Sequence, residues 1–313
     1  MSEQPLHPDV VEEKFENSVD KWADVACDLI SIPSENPPGD TTEIAEYLTD
    51  LFDSRDVPYE VIAPKEHMPN VVAQIEGTQG DPDDGRHLTF NGHLDTFPRR
   101  NEDRWDHDPF AGIITEGRIY GRGASDMYGG LTASLGTFLY LADNRDSFTG
   151  RVSLAAVSDE ETDGEWGTEY LVKNHPEYTG DAVISGEPSS NGIIRFAERG
   201  RSWTEITVRG ESAHTCSVPR GLSAIDELTT ILEEVKAIPD DESFHTVPDR
   251  EREIILDSQE QMDAAYGEGA TERILIPRVN VGVIDGGEKV NLVAEEARAE
   301  VDIRLPIGST TAQ

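Results

Sequence analysis

The 313-residue chain is poor in cysteine and contains no long hydrophobic run. Its two cysteines, Cys27 and Cys216, form no Cys-x-x-Cys motif and predict no disulfide framework. The longest uncharged stretch, Met127 to Ala142, is too short to cross a bilayer. The first residues have neither a basic start nor an apolar segment, so no signal peptide is expected. These absences predict a soluble, cytoplasmic protein.

Positive charge is also scarce, since 26 lysines and arginines face 63 aspartates and glutamates, a net charge of −37. Such a surface repels phosphates and anionic lipids, so neither nucleic acid nor a membrane is expected as a partner. The chain is nevertheless predicted to fold, because 36% of its residues are hydrophobic and lie in periodic runs. The excess of carboxylates and the 6 lysines favour halophilic adaptation. The alternative is an ordinary acidic cytosolic protein.

Three apolar segments each lead into acidic or histidine residues. His87–Asn91 leads into Gly92-His93-Leu94-Asp95, Arg151–Val157 into Ser158-Asp159-Glu160-Glu161, and Asp181–Ser185 into Gly186-Glu187. Near-continuous apolar runs are typical of strands buried on both faces, as in a mostly parallel sheet flanked by helices. Because sites in open α/β sheets form at the carboxyl ends of strands, we expect the functional site there.

Helical spacing of apolar residues predicts a helix from Phe15 to Leu29 and others at 44–52, 126–142 and 168–174. After about residue 200 the order becomes strand, helix, strand, strand, which predicts a smaller α+β domain with an antiparallel sheet. The acidic segment 239–272 is expected to be a solvated insertion or long loop. We therefore predict two domains, residues 1–199 and residues 200–313.

Each candidate site residue has an ordinary structural explanation. His93 and Asp95 follow Asn-Gly and could belong to a turn, or His93 could bind a metal with Asp95 fixing its tautomer. Asp126 follows a glycine-rich segment that lacks the Walker lysine, and it could be a helix N-cap. Glu160 and Glu161 could lie in a solvated loop, although only a cation or strong solvation relieves the repulsion between such neighbours.

Together, these residues favour a centre for two divalent cations. One histidine and several carboxylates, Glu187 included, converge at strand ends without a thiolate, which suits zinc, and also cobalt or manganese. Two such ions can activate a bridging water and polarise a carbonyl. A glutamate beside that water would act as general base and then protonate the leaving amine.

Four motifs in order resemble a known family, that of acetylornithine deacetylase, succinyl-diaminopimelate desuccinylase, aminoacylase and glutamate carboxypeptidase. They are Gly92-His93-Leu-Asp95, Tyr120-Gly-Arg-Gly-Ala-Ser-Asp126-Met-x-Gly-Gly130, Asp159-Glu-Glu161 and Gly186-Glu187-Pro-Ser189. The resemblance covers the chain from about Val19 onward. It implies a two-metal hydrolase that cleaves amide bonds in N-acyl amino acids or peptides.

The resemblance also implies roles for individual residues. His93 and Glu187 become ligands of one metal, Asp126 the bridging carboxylate and Glu161 a ligand of the second metal. Glu160 becomes the general base and Asp95 the residue that orients His93. The peptide bond after Asp126 is expected to be cis.

In the second domain, the resemblance implies a ferredoxin-like lid through which two copies form a homodimer. His214, in Ser212-Ala-His214, would stabilise the oxyanion in the partner subunit's site, although it could instead be a surface histidine. Asn291 and Arg304 would bind the substrate carboxylate. Tyr128 stands where the family commonly has lysine.

The sequence departs from the family at its end, where the family has further lid and catalytic segments and a last histidine ligand. The chain therefore resembles a C-terminally truncated member. The first hypothesis is a metal-dependent deacylase, and a dipeptidase or carboxypeptidase is the alternative within the enzyme class. A noncatalytic binding or dimerisation protein of the same fold is the third.

Overall fold

In a computed structural model of the chain, residues 5–100, 104–162, 164–189, 194–196, 198–217 and 221–310 are described. The chain divides into two compact units, Met1–Pro188 and Ser189–Gln313. The helices of the first unit are α1 (Pro8–Glu16), α2 (Val19–Ser31), α3 (Thr42–Asp53), α4 (Gly129–Asp143) and α5 (Thr168–Asn174). Its strands are β1 (Tyr59–Lys65), β2 (Met68–Glu76), β3 (Arg86–His93), β4 (Ile113–Thr115), β5 (Arg118–Tyr120), β6 (Gly150–Val157) and β7 (Ala182–Ser185).

The first unit is built on a five-stranded sheet with the order β1-β2-β6-β3-β7. β3 pairs in parallel with both β6 and β7, and β2 pairs antiparallel with both β1 and β6. Four of the five strands therefore run in one direction and only β2 is reversed, which confirms the predicted mostly parallel α/β fold. The carboxyl ends of β3, β6 and β7 meet at one edge of the sheet, because the three are parallel neighbours.

The main core lies between this sheet and helices α2, α3 and α4. Its fully buried side chains include Leu29, Leu48, Phe138 and Leu154. Two details of the sequence prediction were wrong. The helix expected from Phe15 to Leu29 is interrupted, because the backbone of Ser18 leaves the helical region (φ −123°, ψ 12°) between the end of α1 and the start of α2.

The second error concerns β7, which was expected to be buried on both faces. All four of its residues are exposed, whereas nearly all of β6 is buried. The reason is position, since β7 is an edge strand of the sheet and β6 is central.

Two glycines allow β7 to end against α4. A side-chain carbon added at Gly130 would lie 1.8 Å from the carbonyl oxygen of Gly186, and one added at Gly186 would lie 2.6 Å from that of Gly130. Only glycine at both positions permits this approach of the two backbones. Asp126 precedes α4 and Glu187 follows Gly186, so the contact sets the spacing between these two carboxylates.

The second unit contains strands β8 (Gly200–Arg209), β9 (Arg278–Gly286) and β10 (Glu296–Leu305) in an antiparallel sheet of order β8-β10-β9. Its helices are α6 (Ala224–Ala237), α7 (Asp249–Asp257), α8 (Gln259–Tyr266) and α9 (Ala270–Ile274). Leu228 and Leu232 of α6 pack on Ala299 and Val301 of β10. The predicted order of strand, helix, strand and strand is therefore present, whereas the lid role and the ferredoxin-like comparison stay predictions.

The segment 239–272 is not the long loop that its acidic composition predicts. It forms α7, α8 and most of α9, because Val247, Ile255 and Leu275 bury their side chains together in a small core of their own. Among the described residues, no helix combines the length and apolar character that a membrane crossing requires.

Candidate metal centre

The site of the first unit is built around His93, the last residue of β3. Its side chain is only 1% exposed, and its main-chain N–H faces the Met127 sulfur at 3.1 Å. The Nδ1 atom lies 2.8 Å from the main-chain carbonyl oxygen of Asp95, which fixes the ring and leaves Nε2 facing the acidic residues. Assigning the proton to Nδ1 makes Nε2 the available metal ligand.

Four carboxylates from three segments approach the Nε2 atom of His93 or its neighbours. Nε2 is 3.1 Å from Asp126, 3.4 Å from Glu187 and 3.9 Å from Glu160. These residues form two groups. One group consists of His93, Asp126 and Glu161, and the other of His93, Glu160 and Glu187. Within each group, one ligand atom per residue lies within 4.8 Å of the others.

Asp126 reaches this position through an irregular turn. Residues Ala124–Tyr128 form a single π-helical turn ahead of α4, with non-helical dihedral angles at Asp126 and Met127. The Asp126–Met127 peptide bond is cis, as the family resemblance implied. The Tyr128 hydroxyl donates to the Leu94 carbonyl at 2.8 Å, so the tyrosine that replaces the family's usual lysine ties this turn to the end of β3.

Asp95 contacts both His93 and the segment that carries the two glutamates, and its role in orienting His93 stays a prediction. The carboxylate is completely buried and lies 3.7 Å from the His93 ring nitrogen, farther than the main-chain carbonyl of the same residue. Its two oxygens instead accept the main-chain N–H groups of Glu160 and Glu161, at 3.2 and 3.1 Å. Asp95 therefore positions the segment that carries both glutamates.

Sequence reasoning did not identify Asn36, whose amide supports this arrangement. Its Nδ2 atom donates to the Asp95 carboxylate at 2.8 Å and to the Thr162 hydroxyl at 2.9 Å. The only sequence signal was an asparagine in the loop Ser34-Glu-Asn-Pro-Pro. Asp159, the first of the three consecutive acids, is also structural, because it is buried and its carboxylate accepts the Trp166 N–H at 3.1 Å.

The pKa values show that these groups interact strongly. Burial by itself lowers the pKa of His93, but the hydrogen bond with Asp126 and the surrounding carboxylates raise it to about 9. The same hydrogen bond lowers the pKa of Asp126. Burial and the neighbouring carboxylates raise the pKa of Glu161 to about 7, although the His93 charge opposes the rise.

This donor set fits divalent metal ions. One imidazole nitrogen and four carboxylates are the hard and borderline ligands that zinc, cobalt and manganese accept. Burial first, and then the charges of Asp126 and Glu160, raise the pKa of Glu161, so its ionised form is stabilised by nearby positive charge. A bound cation would supply that charge.

The remaining predicted site residues belong to the second unit. His214 and Asn291 lie together, with the Asn291 amide 3.2 Å from the Nε2 atom of His214, and both residues are exposed. Arg304 lies in β10 and its Nε atom donates to Asp302 at 3.0 Å. The structure therefore pairs two of the three residues, and their catalytic and binding roles stay predictions.

Comparison with known proteins identifies the family. The chain is 30% identical over 285 residues to a probable succinyl-diaminopimelate desuccinylase of Staphylococcus aureus, covering 89% of this chain and 67% of that protein's length. It thus spans about two thirds of this relative.

Two solved structures share the fold. A metallo-carboxypeptidase of the M20 family from Sulfolobus solfataricus superposes with a TM-score of 0.70 at 23% identity, covering 92% of this chain and 72% of the other. A Bacillus subtilis M20 peptidase described as dinuclear metal binding superposes with a TM-score of 0.57 at 14% identity, covering 94% of this chain and 65% of the other.

The chain also matches a protein family, in agreement with the motifs at the strand ends. Residues 89–303, more than half of the chain, match peptidase family M20/M25/M40. With this match and the desuccinylase relative, we conclude that the chain belongs to the M20/M25/M40 family of metallohydrolases.

Proposed function

We propose that this protein hydrolyses the amide bond of an N-acyl amino acid, with two divalent metal ions held at the strand ends of the first unit. The observation that carries the proposal is the convergence of His93 with two pairs of carboxylates, Asp126 with Glu161 and Glu160 with Glu187. A buried histidine alone needs no metal ion, but four carboxylates gathered around one histidine favour a bound cation.

The donor positions and the family membership support an assignment of the metal ligands. His93 and Glu187 would hold one ion, Glu161 the other, and Asp126 both. Zinc suits this mixture of nitrogen and oxygen, and cobalt and manganese suit it as well. When bound, such ions lower the pKa of a water molecule and polarise the carbonyl of the scissile amide.

Glu160 is the proposed general base. Its side chain is about half exposed, its carboxylate lies 3.9 Å from the His93 ring, and Asp95 fixes its main chain. In this position the Glu160 carboxylate takes a proton from the attacking water. It then delivers that proton to the leaving amine nitrogen as the amide C–N bond breaks.

The second unit is proposed to bind the substrate and to form the homodimer. Asn291 and Arg304 would hold the substrate carboxylate, and His214 would stabilise the oxyanion in a partner subunit's site. The 3.2 Å contact between His214 and Asn291 supports a shared role for these two residues.

The substrate class is proposed from the relatives. The desuccinylase relative supports an N-succinyl amino acid such as succinyl-diaminopimelate. An N-acetyl amino acid such as acetylornithine is proposed from the motif resemblance. The second candidate is carboxypeptidase or dipeptidase activity, which the shared fold of the Sulfolobus carboxypeptidase supports. Hydrolysis rates on a panel of N-acyl amino acids and dipeptides separate the two.

The test of catalysis combines metal analysis with Glu160→Gln. We expect the purified protein to bind divalent metal and Glu160→Gln to keep the metal while losing about 10²–10⁴-fold in turnover. Glu165→Gln is the matched control, because Glu165 is an exposed glutamate of the same segment and belongs to neither ligand group.

Two results would contradict this proposal. One is a protein without metal affinity, and the other is full activity in Glu160→Gln. Metal binding without turnover on any member of the panel would instead favour a noncatalytic binding protein.

A further inference from the structure

The hydroxyl of Tyr128 is buried at a point where three segments of the first unit meet. Tyr128 is 1% exposed and follows Asp126 by two residues, directly before α4. Its hydroxyl donates to the main-chain carbonyl of Leu94 at 2.8 Å and also contacts the hydroxyl of Ser34, which is equally buried. Because a tyrosine hydroxyl carries a single hydrogen, the bond to Leu94 makes Ser34 the donor in the second contact.

Leu94 connects the ends of two parallel strands. It directly follows His93, its side chain is completely buried, and its main-chain N–H donates to the Val157 carbonyl at 2.7 Å. Val157 is the last residue of β6 and leads into the segment that carries Glu160. The carbonyl that Tyr128 binds therefore belongs to a residue that is already fixed to the neighbouring strand.

Ser34 belongs to the loop that carries Asn36. The Ser34 carbonyl accepts the Thr96 N–H at 3.0 Å, and the Asn36 N–H donates to the Thr96 carbonyl at 2.8 Å. These two bonds pair the loop with the chain just after β3. The Tyr128 hydroxyl therefore contacts the loop, the end of β3 and, through its own backbone, the turn before α4.

Apart from Asp126 itself, two side chains of its turn contact the end of β3. Asp126 and Met127 have non-helical dihedral angles, so the regular hydrogen bonds of α4 do not fix their position. The Met127 sulfur receives the N–H of His93 at 3.1 Å, but a thioether sulfur is a weak acceptor. The bond from the Tyr128 hydroxyl to the Leu94 carbonyl has the length of a full hydrogen bond, so it is the stronger of the two contacts.

We propose that Tyr128 is a positioning residue that holds the Asp126 carboxylate 3.1 Å from the Nε2 atom of His93. It acts through the bond between its hydroxyl and the Leu94 carbonyl, which ties the turn before α4 to the residue that follows His93. The consequence for metal binding rests on the proposed function, in which Asp126 binds both ions, whereas the positioning itself does not. Because this tyrosine stands where the family commonly has lysine, the family resemblance does not supply this role.

The positioning is tested by hydrogen exchange on the metal-free 313-residue protein. In the unsubstituted protein, the main-chain amides of Leu94 and Tyr128 should exchange as slowly as those of β6. Tyr128→Phe keeps the ring but leaves the Leu94 carbonyl and the Ser34 hydroxyl without this partner, so both amides should exchange about tenfold faster or more. Fast exchange of these amides in the unsubstituted protein, or unchanged exchange in Tyr128→Phe, would overturn the proposal.

Two variants serve as controls. Tyr140→Phe removes another tyrosine hydroxyl, which donates to the Pro5 carbonyl near the carboxyl end of α4, and it should change neither amide. Ser34→Ala removes the other contact of the Tyr128 hydroxyl and leaves the bond to Leu94 in place, so its effect should be smaller than that of Tyr128→Phe. Equal effects of Ser34→Ala and Tyr128→Phe would assign the order of the turn to general core packing and overturn the role of the Leu94 bond.

Titration with Co²⁺, followed by visible absorption, tests the consequence for the metal centre. Tyr128→Phe should bind Co²⁺ about 10–100-fold more weakly than the unsubstituted protein, as is typical when a residue that orients a ligand is lost, and the absorption spectrum of the bound ion should change. Tyr140→Phe should match the unsubstituted protein in both respects. Unchanged Co²⁺ affinity and spectrum in Tyr128→Phe would overturn the inference, even if the amides exchange faster.

The two measurements separate this inference from the proposed function. An unsubstituted protein that binds no Co²⁺ would contradict the proposed function. The exchange measurement would still decide whether Tyr128 orders the turn of Asp126, because it is made without metal.

Discussion

The two units differ in how firmly the surrounding structure holds their candidate site residues. In the first unit, His93 is 1% exposed, and buried Asp95 and Asn36 hold the segments around it, next to a large core. In the second unit, His214 and Asn291 are both exposed and meet through one contact. The difference indicates that the first unit is preorganised for metal binding, whereas the polar pair of the second unit is less constrained by its surroundings.

Removing one histidine from each unit tests this difference most strongly. His93→Ala should lower zinc affinity by more than about 100-fold, because His93 belongs to both ligand groups. Loss of a metal ligand is expected to cost more affinity than loss of a residue that only orients a ligand. His214→Ala should leave zinc affinity unchanged. Competition with a chromogenic chelator measures both, and equal losses would show that the second unit contributes to the metal centre.

Acidification should weaken metal binding in the first unit. In the metal-free protein the pKa of His93 is raised to about 9 and that of Glu161 to about 7, so both take up protons that the metal must displace. Affinity should therefore rise with pH up to about 9 and fall about 100-fold or more from pH 8 to pH 6.

The same chelator competition at each pH measures this effect. His93→Ala lacks the group with the higher pKa and should show a shallower dependence. A metal affinity that does not change between pH 6 and pH 8 would contradict the raised pKa values.

Asp95→Asn tests the support rather than the ligands. The amide cannot accept from Asn36, Glu160 and Glu161 with the strength of the carboxylate, so we expect a loss of about 2–3 kcal/mol in the free energy of unfolding. Zinc affinity should fall about 10–100-fold.

Asp302→Asn is the matched control for that substitution, since Asp302 accepts from Trp203 and Arg304 in the second unit. Denaturant titration and zinc competition on both variants give the comparison. If Asp302→Asn reduces zinc affinity as much as Asp95→Asn, the support for the metal centre is not confined to the first unit.

Salt should give the smallest effect, and it separates surface carboxylates from metal-site carboxylates. Raising KCl from about 0.1 M to about 1 M shortens the screening length from about 10 Å to about 3 Å. With a net charge of −37, the unfolding temperature should rise by at least about 2–4 °C. Zinc affinity should not rise along with the unfolding temperature, because salt also screens the attraction between the cation and the carboxylates. A thermal scan in KCl, with sucrose as the uncharged control, tests the halophilic prediction.

The strands and the metal centre could be predicted because their signals are local. Apolar runs define β3 and β6, and the polar residues directly after them lie together because parallel neighbours end at the same edge. His93, Glu160, Glu161 and Glu187 were identified in this way, and Asp126 was identified from the glycine-rich segment before α4. The family resemblance supplied their separate roles.

Other features depend on partners distant in the sequence. No local pattern shows that Asn36 would bind Asp95, 59 positions later, or that the Asp95 carboxylate would hold the main chain of Glu160 and Glu161. The helices α7 to α9 were missed because a core as small as that of Val247, Ile255 and Leu275 barely alters an acidic composition. The exposure of β7 follows from strand order, which hydropathy alone does not reveal.

The contact between Gly130 and Gly186 gives the metal centre a means of adjustment that involves no ligand. A methyl group at either glycine would push the end of β7 away from α4, and Glu187 would move relative to Asp126. The separation of two carboxylates is thus set by the missing side chains of two residues that never touch a metal ion.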